Sequence, residues 1–242
     1  MVEASSTIDE LRRVAAARGI ARLGVAPITL LGRGRAALES WLERQEHGDL
    51  SYMERAPAQR ADPRSLLPSA RAAVVIAVCY TRPQSAEPEL PEGAGRLARY
   101  ARGDDYHRVL REHLAALAQA LEDRLQEPLE QRACVDTSPL LERELAMAAG
   151  LGFIGKNTML LTPGVGSYTV LGVLLTSAPL PPTTPSKPRC GSCRLCLDAC
   201  PTGALHDDGY RLDAGRCISA LTIERGGTVD ETMDPDGVLR RG

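Results

Sequence analysis

Five of the seven cysteines in this 242-residue sequence fall between Cys190 and Cys217. Cys190-Gly-Ser-Cys193-Arg-Leu-Cys196-Leu-Asp-Ala-Cys200-Pro201 has the form C-x2-C-x2-C-x3-C-P, the spacing of bacterial [4Fe–4S] sites. Thiolates two residues apart can wrap three corners of a cubane, while the fourth cysteine of such a run serves a second cluster. Structural zinc sites more often split their ligands into two separated pairs, so the spacing favours iron–sulfur. Cys217, in Arg216-Cys217-Ile218-Ser219, follows closely enough to join Cys200 on that second cluster. Each cubane takes four thiolates, and Cys190, Cys193, Cys196, Cys200 and Cys217 are too few for two. Cys79 and Cys134 sit in apolar strand-like runs and read as core residues.

A second pattern invites a nucleotide reading and fails on context. Gly150-Leu-Gly152-Phe-Ile-Gly155 satisfies G-x-G-x-x-G, and Gly155-Lys156-Asn157 approaches a phosphate loop. A dinucleotide fingerprint follows a strand and opens a helix, whereas this one follows a helical pattern. Asn157 stands where a phosphate loop needs a magnesium-binding hydroxyl. The glycines are expected to end that helix and to let backbone approach a large planar ligand.

The elements that must position these residues follow from periodicity. Thr7 to Arg18 reads as an amphipathic helix with Thr7 as its cap, entering a strand near Arg22 to Ala26, and a second helix is expected over Arg35 to Glu46. Ala72 to Tyr80 reads as a buried strand followed by a Pro- and Glu-bearing loop. Val109, Leu110, Leu114, Leu117, Leu121 and Leu125 mark a long helix from Asp104. Arg132 to Asp136 reads as a strand, then a helix capped by Ser138 with Pro139 at its first position and ending at Ala149. Tyr168 to Thr176 is a further strand. The expected class is therefore α/β (α+β). Five prolines between Pro179 and Pro188 divide it into an α/β domain (1–178), a linker (179–188) and a cysteine-bearing module (189–242).

With 43% hydrophobic and 25% charged residues, disorder is excluded. The 29 basic residues nearly balance 31 acidic ones, so composition carries no nucleic-acid footprint, and 3% aromatics argue against base stacking as the binding mode. All basic residues but Lys156 and Lys187 are arginines, which singles out those two. The longest apolar run is about half a membrane span, and the N-terminus has no basic stretch leading into an apolar one. A cytoplasmic protein is expected, with thiols serving metal or redox chemistry rather than disulfides.

Four segments, RYARGDDYH (99–107), VDTSPLLERELAMAAGLGFIGKNTMLL (135–161), CGSCRLCLDACPTGAL (190–205) and RCISALTIE (216–224), together resemble the epoxyqueuosine reductase family. The resemblance implies an oxidoreductase that completes queuosine biosynthesis in tRNA by reducing epoxyqueuosine. It implies a nitroreductase-like domain holding cobalamin and a ferredoxin-like module holding two [4Fe–4S] clusters. Carried over by motif, Asp136 would be the catalytic proton donor and a cofactor contact. Lys156 and Asn157 would face the corrin, Arg99, Tyr100, Tyr106 and His107 would line the same pocket, and Arg60 and Ser219 are further cofactor candidates. The implied partners are tRNA carrying epoxyqueuosine and an external electron donor such as flavodoxin or ferredoxin, with the protein acting as a monomer away from membranes. Family members carry a second C-x-x-C-x-x-x-C-P run after the ISALTIE segment, so the natural chain is expected to continue past Gly242. Two alternatives remain at this stage, a different corrinoid and iron–sulfur reductase acting like a reductive dehalogenase, and a ferredoxin-type electron carrier.

Overall fold

The computed structural model describes residues 2–29, 31–81 and 97–224. The loop expected after Tyr80 and the last part of the cysteine-bearing module lie outside these residues. In chain order the elements are α1 (Val2–Ala17), β1 (Arg22–Pro27), α2 (Gly32–Glu43), α3 (Pro57–Arg60), β2 (Ala72–Cys79), α4 (Tyr106–Leu125), β3 (Gln131–Cys134), α5 (Glu142–Ala148), β4 (Phe153–Ile154), β5 (Leu160–Leu161), β6 (Thr169–Thr176) and α6 (Leu195–Asp198). Four strands form one sheet in the order β1-β2-β6-β3, antiparallel at every step, and β4 with β5 makes a small hairpin.

The unbroken apolar run of β2 is explained by burial on both faces. Val74 and Ile76 join Val25 and Leu174 against α1 and α4, where Leu11, Leu110, Leu114, Leu117 and Leu121 fill one core. Ala73, Val75 and Ala77 join Ala26, Val173 and Leu175 on the other face, against Leu145, Ala146 and Ala149 of the α5 region. Alternate residues therefore serve opposite cores, and neither face tolerates a polar side chain. The small residues on the second face allow close approach. A Cβ on Gly24 would stand 2.1 Å from the Ala149 carbonyl oxygen.

Several sequence expectations shift. Thr7 is not a cap: α1 begins at Val2, and Thr7 lies buried within it. α2 starts and stops three residues early, at Gly32 and Glu43. The helix expected from Ser138 begins only at Glu142. Asp136 adopts a left-handed φ of 52°, which breaks the path from strand to helix. The chain then spends its hydrogen bonds on tertiary partners, with Leu141 N–H donating to the Arg60 carbonyl at 3.1 Å. Gly150 does end α5, at a φ of 77°. The space at Gly150 and Gly152 is filled by the protein itself, not by a ligand. Cβ atoms there would meet the Thr184 and Leu161 carbonyl oxygens at 2.2 and 2.3 Å.

The proline-rich segment lies along the sheet rather than away from it. Thr183 N–H donates to the Val25 carbonyl at 2.9 Å, the Val25 N–H donates to Thr183 Oγ1 at 3.0 Å, and Ser186 Oγ donates to the Gly150 carbonyl at 3.0 Å. Beyond it the chain returns to the end of α2, where Trp41 Nε1 donates to the Leu212 carbonyl and Ala214 N–H to the Glu46 carbonyl.

Candidate active site and cluster ligands

The β2–β6 register runs from Ala72 opposite Thr176 to Cys79 opposite Thr169, and it brings Tyr80 N–H onto the Tyr168 carbonyl at 3.2 Å. At this end of the sheet the tyrosines make an edge-to-face chain, Tyr168 to Tyr80 to Tyr100 to Tyr106, with ring centroids 5.8, 6.2 and 5.9 Å apart. Tyr106 stacks on His107 at 4.0 Å, and the Arg99 guanidinium lies over Tyr168. Asp105 starts α4 by accepting from the His107 N–H, which fixes where Tyr106 and His107 project.

Those two residues meet Asp136, which β3 delivers at its C-terminal end. His107 Nε2 lies 3.2 Å from Asp136 Oδ2, and His107 Nδ1 lies 2.8 Å from Asp105 Oδ1. A ring facing a carboxylate through each nitrogen can donate to both when it is protonated. Partial burial pulls its pKa down, but the bonds to Asp105 and Asp136 outweigh that and leave it raised. Burial together with the Asp136 charge pushes the Tyr106 phenol pKa up. Asp136 N–H donates to Glu142 Oε1 at 3.0 Å. Burial pushes the Glu142 carboxyl up to about 7, with the Asp136 charge adding to the shift and the bond from Asp136 N–H opposing it. The Asp136 side chain itself is 56% exposed and open to a ligand.

On the other side, the Asp136 and Arg60 charges both act on the Tyr52 phenol. Arg60 Nη2 donates to the Tyr52 carbonyl at 3.0 Å, its Nε is buried without a partner, and Tyr52 Oη donates to Glu224 Oε2 at 3.1 Å. Glu224 ends the segment that carries Cys217 and the exposed Ser219. His107 thus meets the Asp136 carboxyl beside Tyr106, with Arg60 at Tyr52, Tyr100 one ring removed from Tyr106, and Arg99 at the far end of the row over Tyr168. Asn157 has a local task, its Oδ1 accepting from Met159 N–H at 3.2 Å in the β4–β5 turn. Lys156 reaches the cysteine loop, donating to the Gly191 and Cys193 carbonyls at 2.8 and 2.9 Å. Tyr52, Tyr80, Tyr168, Glu142 and Glu224 were not singled out from sequence. Glu142 lies inside a quoted motif, six residues after Asp136, but only the irregular turn brings its carboxylate back to that backbone.

The five cysteines of the run and its sequel are free thiols; Cys193 is exposed and the others half-buried. Cys193 N–H donates to the Cys190 carbonyl at 2.9 Å, and α6 carries Cys196 and ends before Cys200. Cys200 is partly buried, which raises its pKa, but N–H groups of Leu205, Ala204 and Thr202 and the Thr202 hydroxyl point at its sulfur and bring it below the ordinary thiol value. Sulfur ringed by backbone donors suits an anionic cluster ligand. Among the described residues no three His, Cys, Asp or Glu side chains close on a single metal ion. A cubane takes its thiolates at separate corners, a wider arrangement. Cys134 is buried, as expected of a core residue, whereas Cys79 is half-buried beside Thr81.

Residues 60–137 match the family model described as epoxyqueuosine reductase QueG, DUF1730, and residues 189–238 match a 4Fe-4S double cluster binding domain. An epoxyqueuosine reductase of Aliivibrio fischeri is 40% identical over 215 residues, covering 88% of this chain and 57% of the relative. A crystal structure of selenomethionine-labelled epoxyqueuosine reductase superimposes with a TM-score of 0.84 at 33% identity, over 99% of this chain and 67% of that one. The chain belongs to the epoxyqueuosine reductase family. Another epoxyqueuosine reductase structure, with a TM-score of 0.84 and 32% identity over 99% of this chain and 66% of that one, contains an epoxyqueuosine-modified tRNA stem loop. The mixed helix and sheet architecture and the iron–sulfur domain are those of this family. The chain spans 57% and 63% of the length of two curated epoxyqueuosine reductases that it matches, from Aliivibrio fischeri and Xanthomonas campestris. Among the described residues no helix is long and apolar enough to cross a membrane.

Proposed function

We propose that this chain carries the catalytic part of an epoxyqueuosine reductase, reducing epoxyqueuosine to queuosine in tRNA, in the cytoplasm, with electrons from a donor such as flavodoxin or ferredoxin. The supporting observation is the Asp136 carboxyl, exposed on one side and held on the other by His107. Removing an epoxide oxygen as water consumes two electrons and two protons. Asp136 is the group placed to deliver a proton to the leaving oxygen. His107, bonded to Asp136 Oδ2 and with its pKa raised by the two carboxylates, can restore it when protonated, and Asp105 keeps the ring in position. Glu142 holds the Asp136 backbone in its left-handed turn, which aims the side chain outward.

Cobalamin belongs to this reading. A corrin is a flat apolar ring with an amide rim, and it needs exposed apolar surface beside hydrogen-bonding groups. Tyr52, which meets Arg60 and Glu224, and Tyr168, at the end of the tyrosine row, are 40% and 42% exposed, and Arg60 Nε is without a partner, so the residues present fit the group. When bound, cobalamin would supply a low-potential cobalt centre next to the epoxide, and Asp136, Tyr106, Arg60 and Ser219 are the residues proposed to face it. The five cysteines would hold [4Fe–4S] clusters, Cys190, Cys193 and Cys196 on one and Cys200 with Cys217 on another. Their place in the chain is to feed that centre one electron at a time.

The test is anaerobic reconstitution with iron, sulfide and cobalamin, followed by mass analysis of modified tRNA nucleosides. Asp136→Asn, which keeps size and suits the left-handed φ, is expected to lose turnover by at least about 100-fold while retaining the fold. Near-normal turnover in that variant would remove Asp136 as the donor.

A further inference from the structure

Lys156 does not belong to the Asp136 cluster, and the chain is arranged around it in an unusual way. Its ammonium bridges two carbonyls of the cysteine loop, Gly191 O at 2.8 Å and Cys193 O at 2.9 Å, the second belonging to a residue that a cubane would hold. Its stem is pressed by the Gly209–Tyr210 turn. A Cβ at Gly209 would lie 2.7 Å from both Lys156 Cβ and Cγ, and Tyr210 N–H donates to the Lys156 carbonyl at 2.8 Å. Gly209 and Tyr210 both have positive φ, 76° and 61°. For tyrosine this is a strained conformation, and it sets the turn against the Lys156 stem and backbone.

A positive charge, clamped by the Gly209–Tyr210 turn, thus meets the loop of Cys190, Cys193 and Cys196. Net charge is one of the factors that set the potential of an iron–sulfur cluster. We infer that Lys156 is a positioning residue that raises the reduction potential of the cluster held by Cys190, Cys193 and Cys196, by its charge against the loop carbonyls. A raised potential makes that cluster the easier one to reduce, and so the natural point of electron entry. This inference rests on the reading of these cysteines as cluster ligands, and it concerns electron supply rather than the epoxide chemistry.

The experiment is an EPR-monitored redox titration of the full chain reconstituted anaerobically with iron and sulfide, alongside iron counting. Lys156→Met and Lys156→Gln are expected to shift the midpoint to more negative values, with Lys156→Arg staying near wild type because it keeps the charge. Gln can still donate one hydrogen bond, so a shift shared by Met and Gln reports charge. Because the potential is read on whatever fraction of cluster forms, poorer iron loading in a variant does not blur the result. An unmoved or more positive midpoint in Lys156→Met and Lys156→Gln overturns the role of Lys156. A wild-type chain that takes up no iron overturns the cluster reading as well, an outcome distinct from a loaded cluster whose potential does not respond.

Discussion

The sheet with its helices and the segment from Cys190 to Glu224 are held together by different physics. In the first, Leu110, Leu114, Leu117 and Leu121 of α4, with Val74 and Ile76 of β2, are wholly buried. In the second, the buried apolar side chains are few and small, Leu197, Ala204, Ala214, Ala220 and Leu221. Short turns and polar ties take their place. Glu46, three residues beyond α2, reaches Arg211 Nε at 3.1 Å and His206 Nε2 at 3.3 Å, Trp41 and Tyr52 add single bonds across the junction, and Lys156 adds two. Burial removes about 25 cal/mol per Å² of apolar surface from water and needs no partner of matching chemistry. A segment without that resource depends on its ligands, and the difference teaches where the protein can be loosened without unfolding.

The largest effect is expected from removing the metal. Structural metal binding can contribute on the order of 10 kcal/mol to folding. Chelation, or Cys196→Ala, should therefore leave the sheet protected in hydrogen exchange while residues 190–224 exchange freely. Equal loss of protection in both regions would break the comparison. Next is Leu114→Ala, which empties a site in the α4 core and should cost about 2–5 kcal/mol in urea unfolding, with iron content of the folded protein unchanged.

Glu142 gives an intermediate effect with a defined sign. Its folded pKa of about 7 lies above the ordinary value of 4.5, so the folded state binds the proton more tightly. Its stabilising contribution is full below the unfolded value and is lost as pH rises through about 7. The shift corresponds to at most ~3 kcal/mol, and Glu142→Gln should flatten the stability profile between these values. The smallest effect is expected from Glu46→Gln. It weakens the ion pairs to Arg211 and His206 by roughly 1–2 kcal/mol and should speed amide exchange around Ala204 to Ala214 without moving the unfolding midpoint of the sheet. A drop in that midpoint would show that the two regions unfold as one.

Much of the body was legible in the sequence. The β2 run and the α4 leucines announce themselves because each side chain's burial repeats at the period of its element. The cysteine run was legible because ligand spacing along the chain is itself the signal. The turn at Asp136 was not. Ser138 and Pro139 are good helix starters, but tertiary bonds from Asp136 to Glu142 and from Leu141 to Arg60 outweigh that local preference and delay the helix to Glu142. The hold of Lys156 on the cysteine loop was not legible either, since nothing in its neighbours along the chain records a contact with Gly191 and Cys193.

The sequence by itself determined which residues can bury, which can ligate metal and where glycine must turn the chain, because these depend on residue type and short-range spacing. Only the tertiary structure decided which polar groups meet. The Tyr168–Tyr80–Tyr100–Tyr106 row, the His107–Asp136 pair and the hold of Lys156 on the cysteine loop each join segments that strand register and helix packing bring together. Such pairings follow from distances in space, which spacing along a chain does not encode.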